Sequence, residues 1–200
     1  MKIVAVTGRS GSGKSAVSAY YMQKGFPAVD GDAIAREITL PGSEALKALA
    51  LTFGSDILAE DGSLLRNKLA KRAFATQQGN VKLISITHPH ITRRLLDLAK
   101  EEEKRGVELF FVDGAMIVGQ AVQSHCDKII VVTAPHEEAL ARITRRDGIS
   151  QEAAEQRLHA QLKEEELCEA ADYVIKNDAS IEELHQRAEQ VLQCLLAKGG

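Results

Sequence analysis

The eight residues Gly8-Arg9-Ser10-Gly11-Ser12-Gly13-Lys14-Ser15 fit the pattern G-x-x-x-x-G-K-[S/T] at every constrained position. The pattern works in one setting only, in which a buried strand delivers the chain to the loop and a helix carries it away. Ile3-Val4-Ala5-Val6 supplies a short apolar strand of the buried parallel kind. The spacing then predicts a helix from about residue 15 to about residue 24, stopped by Gly25 as a C-terminal cap. Glycines let the backbone N–H groups wrap a phosphate, and the helix N-terminus adds partial positive charge. The cradle is Gly8, Gly11, Ser12, Gly13, Lys14, Ser15 and Ala16. Lys14 reaches the β- and γ-phosphates of a nucleoside triphosphate, and Ser15 ligates the Mg²⁺ that bridges them.

Downstream, Pro27-Ala28-Val29-Asp30 reads as a second short strand. Leu109-Phe110-Phe111-Val112-Asp113 and Lys128-Ile129-Ile130-Val131-Val132-Thr133 read as two buried strands, with Tyr173-Val174-Ile175 as a weaker fifth. Helical patterns lie between them. Leu46, Leu49 and Phe53 share a face, as do Ile91, Leu95 and Leu98, and Ile181, Leu184, Ala188, Val191 and Leu195 repeat at helical spacing. Pro89 suits a first helical turn, so the region from about 80 to about 104 is expected to form two helices. Strands alternating with helices predict an α/β fold, a P-loop NTPase three-layer α/β/α architecture with a mostly parallel five-stranded sheet. A single domain is expected, with its core at about 1–32, 106–135 and 170–200. The stretch of about 33–105 is too long and too helical for a plain crossover and reads as a helical insertion between the second and third strands. A second helical excursion, about 136–169, is rich in Arg and Glu and reads as a mobile lid.

Composition narrows the partners. The chain has 200 residues, 25 Lys+Arg against 28 Asp+Glu, and a formal charge of −3, with 4% aromatics and no Trp. That balance lacks the basic footprint of a nucleic-acid binder and leaves room for a local pocket for a small anion. The apolar start from Ile3 is broken at once by glycine and polar residues, before a signal-peptide core could form. No run approaches the ~20 apolar residues that cross a bilayer, so a cytoplasmic protein with no membrane partner is expected. Cys126, Cys168 and Cys194 are far apart and read as small hydrophobes of a reducing compartment. Nothing in the sequence signals an oligomeric state.

Two further carboxylate positions matter. Asp113 ends its apolar run where a Mg²⁺-holding aspartate belongs, or where an aspartate caps the next turn. Asp30-Gly31-Asp32 follows the second strand on the ligand side of such a sheet, where a transferase needs a carboxylate to take the acceptor hydroxyl's proton. Asp32 equally suits the N-cap of a helix beginning Ala33-Ile34-Ala35-Arg36. His88 and His90 lack a third ligand at metal spacing and fit a helix-start turn.

Taken in order, these residues resemble the dephospho-CoA kinase family along nearly the whole chain. The landmarks are Thr7-Gly8 into the loop, Gly25, Asp30-Gly31-Asp32 before Ile34-Ala35-Arg36, Pro41-Gly42, Phe53-Gly54, Asp61-Gly62-Ser63-Leu64, Arg66, Leu69 and His88-Pro89. They continue with Arg142, Arg146-Asp147, Arg157, Gln161, Ala171-Asp172, Ile175 and Asn177. The resemblance implies that the helical insertion of about 33–105 is the substrate-binding, CoA-binding part, that ATP and Mg²⁺ are cofactors, and that a phosphoryl group is transferred to the ribose 3′-hydroxyl of dephospho-CoA. By position it implies Asp32 as base with Asp30 beside the acceptor, and Arg66, His88, Pro89 and Gln161 as acceptor-site residues. It implies Asn177 at the nucleotide and Arg142 and Arg146 as lid arginines acting on the phosphates, with Arg145 in solvent.

The sequence also departs from the family. Asp113-Gly114-Ala115-Met116-Ile117-Val118-Gly119 keeps the aspartate of the usual D-x-P-L-L-F-E and loses the rest. Arg9-Ser10 replaces the usual Gly-Ile, and Ala16 replaces Thr. The alternatives are another nucleoside or nucleotide kinase on this core, or a nucleotide-binding regulator. A guanine-reading N-K-x-D is absent, since Lys176-Asn177-Asp178 has the wrong order.

Overall fold

The computed structural model describes residues 1–115 and 117–197; Met116, within the atypical stretch after Asp113, lies outside the described residues. The expected strands form as β1 (Lys2–Thr7), β2 (Ala28–Asp30), β3 (Leu109–Asp113), β4 (Lys128–Thr133) and β5 (Tyr173–Lys176). Their order is β2-β3-β1-β4-β5, and β1 pairs in parallel with both β3 and β4, as β4 does with β5. Neighbouring β1 and β3 send their connections in opposite directions, β1 toward β2 and β3 toward β4. That is a topological switch point, and ligands bind there outside the carboxyl ends of the strands.

The helices are α1 (Lys14–Gln23), α2 (Gly31–Glu37), α3 (Glu44–Phe53), α4 (Arg66–Ala73), α5 (Gln77–Lys104), α6 (His136–Asp147), α7 (Gln151–His159), α8 (Glu164–Glu169) and α9 (Ile181–Leu196). The chain divides into two compact units. Met1–Val29 and everything from Glu102 onward form the first, and Asp30–Glu101 forms the second. Among the described residues no helix is long and apolar enough to cross a membrane.

In the first unit, sheet residues Val4, Val6, Phe111, Ile130, Val132 and Ile175 bury against Val17 and Tyr21 of α1 and Leu184, Ala188, Leu192 and Leu195 of α9. Tyr21 stacks on Phe111 with centroids 4.2 Å apart, and its hydroxyl donates to the Ala188 carbonyl at 3.2 Å, so the ring is buried without orphaning its polar tip. On the outer side of the same helix pair, Glu189 accepts from the Tyr20 hydroxyl at 2.7 Å and pairs with Lys24 at 3.0 Å. These contacts, Tyr20 first, then Gln193 and Lys24, hold the Glu189 carboxyl down at about 2 from an ordinary 4.5. A depressed carboxylate stabilises the fold above its unfolded pKa, and that contribution disappears as pH falls through the folded value. The expected result is a melting temperature for Glu189→Gln that lies below the native chain's at neutral pH. The two curves should converge as pH drops from 4.5 toward 2, a series that thermal melts across pH check directly.

The second unit has its own core, in which Leu49, Ile57, Leu69 and Ala73 are buried with Phe53, Leu64, Leu83 and Ile86 packed around them. Ser43 caps α3 by accepting from the Leu46 N–H at 3.3 Å. Arg72 grips both oxygens of Asp56, at 2.7 and 2.6 Å, and also donates to the Phe53 carbonyl, tying α4 to the end of α3.

One expectation fails here. Residues 80–104 do not form two helices; α5 runs unbroken through Pro89. A proline inside a helix removes one backbone bond and costs about 3 kcal/mol. Here both Pro89 and Ser85, whose carbonyl the proline leaves without its usual partner, lie on the exposed side where water can satisfy it. Packing of Leu83 and Ile86 before the proline and burial of Leu95 and Ala99 after it hold one apolar face across the interruption.

Candidate active site

The glycine loop leaves β1 and enters α1 as expected, and its shape depends on Gly8, Gly11 and Gly13. Gly11 and Gly13 have φ of 75° and 101°, a region that strains any side chain. A Cβ on Gly11 would lie 2.4 Å from the Ala139 carbonyl oxygen of α6, and one on Gly13 would lie 2.2 Å from Asn177 Nδ2. Lys14 and Ser15 therefore open α1 with first-turn amides that have no acceptor inside the helix. Lys14 Nζ donates to the Arg9 carbonyl at 3.1 Å. Asp113 closes β3 in register with Val6, on the strand beside the one that feeds the loop.

Residues distant in sequence brace this loop. Asn177, buried at the end of β5, donates from Nδ2 to the Ser12 carbonyl at 2.8 Å, and its own N–H bonds the Thr133 carbonyl at 2.7 Å. Gln161 accepts from the Ser10 N–H at 2.9 Å and donates to Ser10 Oγ at 3.0 Å. Arg142 donates to the Gly11 carbonyl at 3.2 Å and is itself aimed by Glu138 at 2.6 Å. Arg146 does not share this position. Its guanidinium grips Asp147 at 2.7 and 2.9 Å, where Arg157 joins at 2.6 Å. Together the two arginines, Arg146 first, hold the Asp147 carboxyl below the usual carboxylate range.

A cavity of about 410 Å³ opens beside the loop, lined by Arg9, Ser12, Thr133, His136, Lys176 and Asp178 among others. That is the size of a site for a small organic ligand. Within the loop, Ser12 Oγ is buried with no hydrogen-bond partner. An unsatisfied hydroxyl among loop amides and an ammonium fits an anion with many acceptor oxygens. Among the described residues no group of three or more His, Cys, Asp or Glu could hold a metal ion by itself. Ser15 at the start of α1 and Asp113 at the end of β3 carry oxygen donors of the kind Mg²⁺ accepts when phosphates and waters supply its remaining ligands. The site residues thus fit a Mg²⁺-nucleotide.

In the second unit, the capping role falls to a different aspartate from the one expected. Asp30, extended at φ −83° and ψ 118°, caps α2, and its carboxylate accepts from the Asp32 N–H at 2.8 Å and pairs with Arg36 at 3.4 Å. The helix begins at Gly31, not Ala33, because the capping carboxylate is that of Asp30 and not that of Asp32. Asp32 stands exposed in the first turn of α2. Arg66 opens α4 and donates to Thr39 Oγ1 at 3.1 Å. A cation at a helix N-terminus opposes the dipole, so Arg66 adds nothing to the stability of α4 through its charge. His88 is half-buried in the middle of α5, not at a helix-start turn, and burial lowers its pKa.

Sequence reasoning assigned no contact to Arg9, whose guanidinium donates to the Leu158 carbonyl at 2.7 Å; the one signal was that Arg9 departs from the family pattern. The Asn177 brace has a measurable consequence. Asn177→Ala leaves the Ser12 carbonyl and the loop unsupported, a loss of about 1–3 kcal/mol for a buried group deprived of its partner. Denaturant titration should show that drop in stability, and nucleotide titration a weaker affinity.

Comparison with known proteins agrees with this geometry. The family model for dephospho-CoA kinase matches residues 2–183. A dephospho-CoA kinase of Carboxydothermus hydrogenoformans is 37% identical over 193 residues, covering 96% of this chain and 94% of that one. A crystal structure from Thermus thermophilus superposes with a TM-score of 0.80 at 32% identity, covering 98% of both chains. Dephospho-CoA kinase from Campylobacter jejuni superposes with a TM-score of 0.62 at 28% identity over 97% of each. A phosphate loop braced from three distant segments and a family match over nearly the full length lead to one assignment: the chain is a kinase and belongs to the dephospho-CoA kinase family.

Proposed function

We propose that this enzyme transfers the γ-phosphoryl group of Mg²⁺-ATP to the ribose 3′-hydroxyl of dephospho-CoA, giving coenzyme A and ADP. The observation that carries the reading is the match of residues 2–183 to that family in a chain whose phosphate loop is intact. Phosphoryl transfer is mostly positioning and charge stabilisation, and the residues divide along those lines. The loop amides and Lys14 hold the β- and γ-phosphates. Ser15 and Asp113 hold Mg²⁺, which neutralises charge on the phosphate oxygens when bound. Asp32 takes the proton of the attacking hydroxyl. Arg66, Asp30 and His88 serve the acceptor side.

Arg142, already seated on the Gly11 carbonyl, closes over the phosphates with the α6–α7 hairpin and excludes water, the competing acceptor. The cavity at Thr133 and Lys176 takes the nucleoside end of ATP. The enzyme acts in the cytosol. Its three cysteines are free, and burial pushes the Cys126 thiol up to about 11, where it is inert.

The test is ADP release from Mg²⁺-ATP with and without dephospho-CoA, with the product's added phosphate located by mass and by 3′-nucleotidase digestion. Acceptor-dependent ADP and a 3′-phosphate are expected. ATP binding without acceptor-dependent turnover would assign the site to a different acceptor.

A further inference from the structure

Arg9 lies within the phosphate loop, and both its side chain and its carbonyl are engaged in hydrogen bonds. Its guanidinium donates to the Leu158 carbonyl at 2.7 Å, within the last turn of α7. The same carbonyl also accepts from the Gln161 N–H at 3.2 Å, and a cation there meets the negative end of the helix dipole. Leu158 is fixed in turn, packed with Leu140, Ile143 and Ala154 in the small core that joins α6 to α7. Two residues past the helix, Gln161 holds Ser10 through both its amide atoms, at 2.9 and 3.0 Å. Residues 158–161 are therefore bonded three times to residues 9 and 10. On the other side, the Arg9 carbonyl accepts from Lys14 Nζ at 3.1 Å and from the Ser12 N–H at 3.2 Å. Arg9 Nε is buried without a partner and the side chain lines the cavity, an arrangement that costs stability and so is not explained by folding alone.

We propose that Arg9 is a positioning residue that latches the C-terminal end of α7 onto the phosphate loop, so that the loop and the α6–α7 hairpin hold the nucleotide as one unit. The latch rests on the kinase reading above for its kinetic consequences, though not for its structural one. Arg9→Met keeps the length of the stem and removes the donors; Arg9→Lys keeps one charged donor.

Hydrogen exchange over residues 156–163 of the full chain, measured without ligand, is the first readout. Arg9→Met should speed exchange there about ten- to a hundredfold, as loss of a charge-assisted bond allows, with the core strands unchanged. Arg9→Lys should restore most of the protection. Steady-state rates are the second readout. Arg9→Met should raise KM for ATP about tenfold with kcat within about twofold, and should raise the share of ATP lost to water.

Unchanged protection in Arg9→Met, or equal loss in Arg9→Lys, would overturn the latch. A fall in kcat at constant KM would also overturn it by moving Arg9 to the reacting phosphate. If Arg9→Met does not fold, Arg9→Gln, with a neutral donor, is measured in the same way. A native chain that fails to phosphorylate dephospho-CoA while the exchange result holds would sink the substrate assignment and leave the latch standing.

Discussion

Replacing Asp32 with asparagine is expected to lower kcat for phosphorylation of dephospho-CoA by about 10²- to 10⁴-fold, the usual share of a general base, with ATP affinity nearly unchanged. The substitution is almost isosteric, and the Asp32 N–H that bonds Asp30 at 2.8 Å is retained, so α2 keeps its start. What disappears is the ability to take a proton. The neighbouring carboxylate supplies the control. Asp30 is engaged as the cap of α2 and with Arg36, and asparagine caps a helix as well as aspartate does. Asp30→Asn should therefore lose much less rate than Asp32→Asn. Steady-state kinetics with calorimetric ATP binding for both variants make the comparison. Turnover within tenfold of native in Asp32→Asn would remove Asp32 from the base role.

The aspartate pair also shows where a sequence is ambiguous. Asp30 and Asp32 both have the side chain of an N-cap, and only the extended backbone at Asp30 and the helical entry of Gly31 decide between them. The five strands were legible because each is an apolar run ending in turn or charged residues, and the glycine motif demands its own strand and helix. Pro89 misled because its local penalty is real, but its exposed position lets water take up the freed carbonyl while packing on either side keeps the helix whole. The braces of the loop were not legible as contacts. Arg142 and Gly11 are 131 residues apart and Ser10 and Gln161 are 151 apart, and no periodicity spans such distances. Resemblance marked Arg142, Gln161 and Asn177 as positions of interest, while their partners in the loop come only from the three-dimensional arrangement. Arg146 carried the same mark and is found on Asp147 instead.

Lys14→Met should cost about 10³-fold in kcat/KM, the scale of removing one preorganised charge from a transition state. Lys14 is the first residue of α1, and its amine is aimed back across the loop by the Arg9 carbonyl at 3.1 Å. Charge builds on the leaving oxygen of ADP as its bond to the γ-phosphoryl group lengthens, and in the proposed reaction an ammonium held beside the β- and γ-phosphates meets it without reorganising. The loop is shaped by Gly11 against Ala139, Gly13 against Asn177 and Asn177 on Ser12, to which Lys14 adds a part-buried bond to the Arg9 carbonyl. The variant is therefore expected to melt within a few degrees of the native chain. Lys14→Arg should not rescue the rate, because a planar fork delivers its charge at a different point from a compact ammonium. Acceptor-dependent ADP release and thermal melts on the two variants separate the possibilities. Native-like turnover in Lys14→Met would mean that the phosphates bind elsewhere than in this loop, and in Lys14→Arg that any cation there suffices, whereas a large loss in both, with the fold intact, ties the chemistry to a single point charge.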